Sequence, residues 1–245
     1  MSVEPLPGVP AATVETDGER LLAVADYHAG IEAGLRYDGV ELESAAAERR
    51  RRLTGLVTET GADRVVVVGD LGHAIGDPFA DERDELAALF DSLSVPMTLV
   101  KGNHDGDLED VLDELGADVT VTPAHGTRLG DVGFVHGHTW PSPAVLAADV
   151  VCMGHEHPVV RLEDEVGGVR KERAWLRGEL APDAFESAVE PGADLVVFPA
   201  FNDRSGGTWV NVDGQSFLSP FLPAGLADAE AFLLDGTRLG AYQTV

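Results

Sequence analysis

Hydrophobic positions along the chain fall into five short runs without alternation: Leu21–Ala25, Val65–Val68, Met97–Val100, a run ending in GFV at Val135, and Val150–Met153. Runs of that length, rich in Val, predict strands buried on both faces. Helical patterns lie between the early ones. One covers about Val40–Thr60 and stops at Gly61, where a left-handed C-cap suits glycine. A second covers Asp81–Leu93, with acids in the first turn where the helix dipole favours them, and a third covers Asp107–Leu115 before Gly116. Strand alternating with helix predicts a layered α/β fold. The texture changes after His157. Val159–Glu165, Gly167-Gly168 and Val169–Arg177 predict a β-hairpin. Asp194–Pro199 and Thr208–Val212 predict strands separated by a turn at Gly206-Gly207, and Ala229–Val245 predicts short strands around Asp235-Gly236. The first ~20 residues carry Pro and Gly and are expected to be loosely held.

Length and composition fit one compact domain over residues 1–245, since 44% of the residues are hydrophobic and no repeat or linker interrupts them. Charge changes the picture more. The 43 acids and 17 bases give a formal net charge of -26, and the only lysines are Lys101 and Lys171. A surface of that kind suits a cytosol full of salt, where screening removes most self-repulsion, so a halophilic source is expected. The single cysteine, Cys152, excludes an internal disulfide and a thiolate metal cluster, and its place in a buried run makes it a small core residue. The N-terminus lacks the basic start and apolar stretch of a signal peptide. No apolar run approaches the ~20 residues that span a bilayer. A soluble, cytoplasmic protein with no membrane partner is therefore expected.

Chemistry concentrates where the runs end. They are followed in turn by Asp26-Tyr27-His28, by Gly69-Asp70-Leu71-Gly72-His73, by Gly102-Asn103-His104-Asp105, by His136-Gly137-His138 and by Gly154-His155-Glu156-His157. Of the 8 histidines only His125, expected at the surface, lies elsewhere. Loops at the carboxyl ends of strands gather in one crevice, so these groups are expected to meet. Imidazole and carboxylate suit Zn, Mn or Fe. About seven N/O donors with one shared carboxylate fit two ions ~3.5–4 Å apart. The glycines before Asp70, Asn103 and His155 are read as sharp turns at the strand tips.

The ordered motifs D-x-H, GD-x-x-H, GNHD, HGH and GH-x-H resemble those of the calcineurin-like metallophosphoesterases over Leu21 to about Val160. The segment Ala29 to Glu32, GDLGH and FPAFN (Phe198 to Asn202) is similar to a subgroup, the archaeal SbcD-related and bacterial ligase-associated phosphoesterases. The resemblance implies a four-layer α/β/β/α sandwich with mixed sheets, its metal motifs within 21–160 and a strand-rich half over 159–245. It also implies a site. Asp26, His28 and His157 would hold one divalent ion, Asn103, His136 and His155 a second, and Asp70 would bridge them. The metal is expected to be Mn2+, with Fe and Zn as alternatives. His104 would protonate the leaving oxygen and Asp105 would orient His104. A bridge needs two lone-pair oxygens, which Asp offers and His does not.

The remaining candidates are less determined by their spacing. His73 is expected to hydrogen-bond behind the ligands, and His138 to cap a turn or touch the substrate phosphate. Arg36 and Arg204 could reach the crevice. Arg49 to Arg52 read as a phosphate contact or as a solvated helix surface neutralising Glu41, Glu43 and Glu48, the second being favoured because consecutive helical positions point in different directions. The leading functional expectation is phosphodiester hydrolysis by metal-bound hydroxide. The subgroup suggests nucleic acid as substrate, single-stranded DNA included, in a DNA-repair-type nuclease. A small-molecule or cyclic nucleotide phosphodiesterase or phosphatase is the second reading. A catalytically weak, metal-bound partner of a helicase or ligase is the third, and against it no ligand and no acid is missing.

Overall fold

The computed structural model describes residues 3–164 and 166–245. The first sheet contains β1 (Val3–Pro5), β2 (Ala11–Thr16), β3 (Glu19–Val24), β4 (Arg64–Val67), β5 (Met97–Val100) and β6 (Val119–Thr122), side by side in that order. Strands β3 to β6 run parallel, and β1 and β2 join antiparallel. The parallel crossovers carry α1 (Ile31–Tyr37), α2 (Ala46–Thr60), α3 (Ala80–Ser92) and α4 (Leu108–Glu114). The second sheet is built from β7 (Thr127–Leu129), β8 (Val132–Val135), β9 (Val150–Met153), β10 (Val159–Glu163), β11 (Val169–Leu180), β12 (Asp194–Val197), β13 (Leu226–Leu233) and β14 (Arg238–Ala241). Its order is β14-β13-β11-β12-β9-β8-β7, with β10 paired to β11. The pairs β8/β9 and β9/β12 are parallel.

Side-chain alternation explains why the apolar runs lack polar positions. Leu21 and Ala23 point into the core between the sheets, while Leu22 and Val24 face the helices; Val66 and Val65 divide the same way. The central layer includes Phe134, Cys152, Trp175 and Phe198. Leu53, Leu86, Leu89 and Leu112 bring α2, α3 and α4 onto the outer face of the first sheet. The outer face of the second sheet is covered by α5 (Pro143–Leu146) and irregular segments that bring in Phe221 and Tyr242. The layers are thus α/β/β/α with two mixed sheets.

Several boundaries differ from the sequence reading. The N-terminal residues expected to be loose form β1 and β2, with Val3, Ala11, Ala12 and Val14 buried. The helix expected from Val40 begins at Ala46, because the preceding stretch is held elsewhere: Glu32 accepts the Ala45 N–H and the Arg204 guanidinium donates to the Glu43 carbonyl. Thr208–Val212 is not a strand. It makes one bridge, Trp209 to Val159, after which the Asn211 side chain takes the Arg161 N–H and C=O that a continuing strand would have used. Glu165, the expected end of the hairpin's first strand, lies outside the described residues. Cys152 is fully buried and His125 exposed, as their positions imply.

Candidate metal centre

The loops after β3, β4, β5, β8 and β9 meet at the carboxyl ends of their strands. The Asp70 carboxylate lies in the middle of their side chains. Its Oδ2 is 3.4 Å from His136 Nε2, 3.8 Å from His28 Nε2 and 4.0 Å from His104 Nε2. Asp26 Oδ1 is 3.0 Å from His157 Nε2 and 3.8 Å from His136 Nδ1. Asn103 Oδ1 lies 3.1 Å from His136 Nε2. The His155 ring stacks edge-on to that of His136, with centroids 4.9 Å apart. Ligand atoms within 4.8 Å of one another group Asp26 with His28 and His157, and Asp26 with Asp70 and His136; a third such group is His28, His73 and His104.

Histidine orientation makes these donors suited to a metal. His28, His136 and His157 each place Nδ1 on a backbone carbonyl, of Gly72, Val68 and Gly206 at 3.3, 3.0 and 3.0 Å. That contact fixes the tautomer and directs the Nε2 lone pair into the crevice. His157 Nε2 is closed to water and faces the Asp26 carboxylate at 3.0 Å. Charge points the same way. Burial opposes a proton on His136, but the Asp70 and Asp26 carboxylates overcome it and raise the group to about 9. His157 is raised against its own burial by Asp26. His28 and His155 are pulled down by burial, to about 3 and about 4.

Backbone strain collects here too. Among the described residues, the non-glycine positions with positive φ include Asp26 (57°), His28 (49°), Asp70 (52°), His155 (69°) and His157 (45°). Such conformations cost of order 1–3 kcal/mol each and persist where surrounding contacts enforce them. Buried carboxylates enforce them. Asp105 accepts from the amides of Asp70, Gly72 and Gly102 at 2.8, 3.1 and 2.8 Å. Glu82 accepts from His73 and Ala74, Glu85 from Gly30, and Glu156 from Leu218 and Ser219. Asn202 Nδ2 donates to the Tyr27 and His28 carbonyls. These clamps were not legible as chemistry in the sequence, because a carboxylate bonded to backbone amides leaves no spacing signature.

The glycines act in two ways. Gly69 has φ +82° and does make a left-handed turn. Gly102 and Gly154 do not. They are there for close approach, since a Cβ would run into the Asp70 carboxylate at Gly102 and the Val68 carbonyl at Gly154.

The expected partnership of Asp105 with His104 is replaced by a different one. Asp105 is spent on the three amides, and His104 Nδ1 lies on the His73 carbonyl. His73 itself has Nδ1 3.4 Å from His28 Nδ1, behind the ligand cluster. His138 joins the histidine group, 5.3 Å from the His136 ring, and its Nδ1 caps no turn among the described residues. Arg36 pairs with Asp81, and Arg204 with Glu32, so carboxylates already hold the two arginines thought able to reach the crevice. Arg49 leaves the basic run altogether. It is buried in ion pairs with Glu32 and Glu85 and neutralises neither Glu41, Glu43 nor Glu48.

No curated protein matches the chain. Among solved structures, the nuclease MPE of Pseudomonas putida is 18% identical, with 97% of this chain and 100% of that one covered at a TM-score of 0.59, a likeness of fold. YfcE, a phosphoesterase from E. coli, is 16% identical over 90% of this chain and 96% of its own at a TM-score of 0.39. A family model, the calcineurin-like phosphoesterase superfamily domain, matches residues 20–176 and so every loop of the crevice. With more than half its length and all five of its histidine- and aspartate-bearing strand ends inside that match, the chain belongs to the calcineurin-like phosphoesterases, metal-dependent hydrolases of phosphate esters.

Proposed function

We propose that the chain hydrolyses phosphodiester bonds, those of nucleic acid included, at a centre of two divalent ions, with Mn2+ as the first choice of metal. Asp26, His28 and His157 hold one ion, Asn103, His136 and His155 the other, and Asp70 both. The position of Asp70 carries this reading: its Oδ2 lies 3.8 Å from Nε2 of His28, assigned to one ion, and 3.4 Å from Nε2 of His136, assigned to the other. Two ions bound there lower the pKa of a water and neutralise phosphoryl oxygens.

The protein's own contribution is orientation and a proton. With Nδ1 on the His73 carbonyl, His104 turns Nε2 toward Asp70 and the crevice. Nε2 is the atom that donates a proton to the leaving oxygen, after which Nδ1–H remains hydrogen-bonded in the neutral ring. Asp105 positions the Asp70 backbone from behind. The test is turnover of an aryl phosphodiester, single-stranded DNA and 2′,3′-cyclic nucleotides by the Mn2+-loaded protein at high KCl. Turnover of the aryl ester and DNA is expected; inertness toward all three would refute the reading.

Metal loading is expected to release protons. His136 in the metal-free chain stays charged up to about 9, and a ligand must be neutral. Apparent affinity for Mn2+ should therefore rise with pH from about 6 to 8 and level off above the His136 pKa. Calorimetry in two buffers of different ionisation enthalpy measures the released protons, and a pH-independent affinity would contradict the His136 assignment.

The compartment and source proposed are a salt-rich cytoplasm, from the net charge of -26 and the scarcity of lysine. Thermal unfolding should shift upward steeply between ~0.1 M and molar KCl as the screening length falls from about 10 to 3 Å. Full stability at ~0.1 M would contradict a halophilic origin.

A further inference from the structure

In a chain with 43 acids and 17 bases, most cations should find a carboxylate. Among the described residues, Arg50, Arg51, Arg52, Lys171 and Arg173 have none within the 4.0 Å of a salt bridge. Three of these are gathered in one place beside the metal centre. Lys171 and Arg173 line a cleft of about 230 Å3 whose wall also includes His157, Ser205 and Asp203. Arg52 stands next to it, across Asp203 and close enough to Arg173 to repel it. Arg52 and Arg173 are both half-buried, so water screens their repulsion poorly.

The cations are held by neutral contacts. Arg52 lies over the Phe201 ring at 5.0 Å, Lys171 over the Trp209 ring at 5.6 Å, and Arg173 donates to the Ala200 carbonyl at 3.1 Å. These contacts fix the groups without discharging them. Ser205 Oγ, also on the wall, is buried and has no hydrogen-bond partner. Of the acids nearby, Asp203 acts on Arg52 and Arg173, Glu172 on Arg173 while also facing Arg170 at 3.8 Å, and Glu48 on Arg52, none of them within salt-bridge distance of the three cations. An anion placed here would relieve the Arg52–Arg173 repulsion and take up the idle hydroxyl.

We propose that this cleft is a subsite for a second phosphate of a single-stranded nucleic-acid substrate, flanking the phosphate being hydrolysed. Lys171, Arg173 and Arg52 are its cations and Ser205 its neutral donor. His157 is common to cleft and metal centre, so the two phosphates belong to one ligand. The cleft is smaller than the ~300–1,000 Å3 of a pocket enclosing a whole small molecule, so it takes one group of a longer substrate. The inference rests on the phosphodiesterase reading above and extends it to substrate choice.

The experiment compares Mn2+-loaded proteins on thymidylyl-thymidine, which has a single phosphate, and on the thymidine trinucleotide and a twelve-residue oligothymidylate, which have flanking ones. The wild type should show kcat/KM about tenfold or more higher on the longer substrates. K171Q/R173Q should lose that preference, and its log KM on the oligonucleotide should depend less on log salt, by about 0.7 per cation removed. R173K should recover part of the preference. R51Q, with an exposed cation outside the cleft, should keep it. Circular dichroism controls for folding of each variant. A double variant that keeps the preference, or a wild type that has none, would overturn the subsite while leaving the phosphodiesterase intact. No wild-type turnover of any of the three would instead overturn the phosphodiesterase reading, and the subsite with it.

Discussion

Asp70→Asn is expected to lower kcat on a phosphodiester by about 10³-fold or more, with the fold retained. The amide keeps the shape of the side chain and one acceptor oxygen, but its NH2 is a donor and cannot serve a cation. Because Asp70 Oδ2 lies within 3.8 Å of both His28 and His136, the substitution alters the one carboxylate that faces a donor of each proposed ion. It also removes a negative charge that supports the proton on His136. A steady-state assay alongside a thermal melt checks both halves of the expectation. An Asp70→Asn protein with near wild-type kcat would show that this carboxylate is not the bridge.

The largest effect on stability is expected at Arg49. Its guanidinium makes paired contacts with both Glu85 oxygens at 2.8 Å and both Glu32 oxygens at 3.2 Å, in a region almost closed to water. Burial alone pushes the Glu32 carboxyl up, and Arg49 overcomes that to hold it below its ordinary range. Arg49→Met leaves buried Glu85 without its cation and Glu32 with Arg204 alone, and should cost about 3–5 kcal/mol at neutral pH. For a chain of this size each kcal/mol lowers Tm by roughly 2–4 °C. The sign with pH follows from Glu32. Its contribution in the wild type is present above the unfolded carboxylate pKa and lost as pH falls through the lowered folded one. The gap between wild type and variant should therefore narrow below about pH 4.5. Arg49→Lys should be intermediate, since an ammonium cannot pair with two carboxylates in fork geometry. Equal melting of Arg49→Met and wild type at pH 7 would show that the pair contributes nothing.

This network also shows where the sequence was informative and where it was not. The strand ends could be read because each apolar run gives way within a few residues to histidine with glycine, acid or amide beside it, and five such stops in order leave few arrangements. Arg49 could not. Its partners lie 17 and 36 positions away, and nothing in a run of four arginines says which one turns inward. The same holds for Lys171 and Arg173, which look like the polar face of a hairpin until the packing brings Arg52 and the Asp203 loop beside them. The N-terminal strands were missed because β1 is three residues ending in Pro, and its burial depends on pairing with β2. Helix α1 was missed because Gly34 interrupts its pattern; the glycine is needed because the His73 ring packs against its backbone. The expected strand at 208–212 failed through Asn211, whose side chain imitates the ladder it replaces. Metal-type residues were thus visible as residue types at chain positions. Their tautomers, clamps and strained backbones appear only when the loops are assembled.

The most direct test of a two-ion centre shared by Asp70 is to count ions and measure their coupling. Mn2+-loaded wild type, freed of excess metal, should contain two Mn per chain by elemental analysis and give the exchange-coupled electron paramagnetic resonance spectrum of a bridged pair. One Mn per chain, or two that give only uncoupled single-ion signals, would contradict the account.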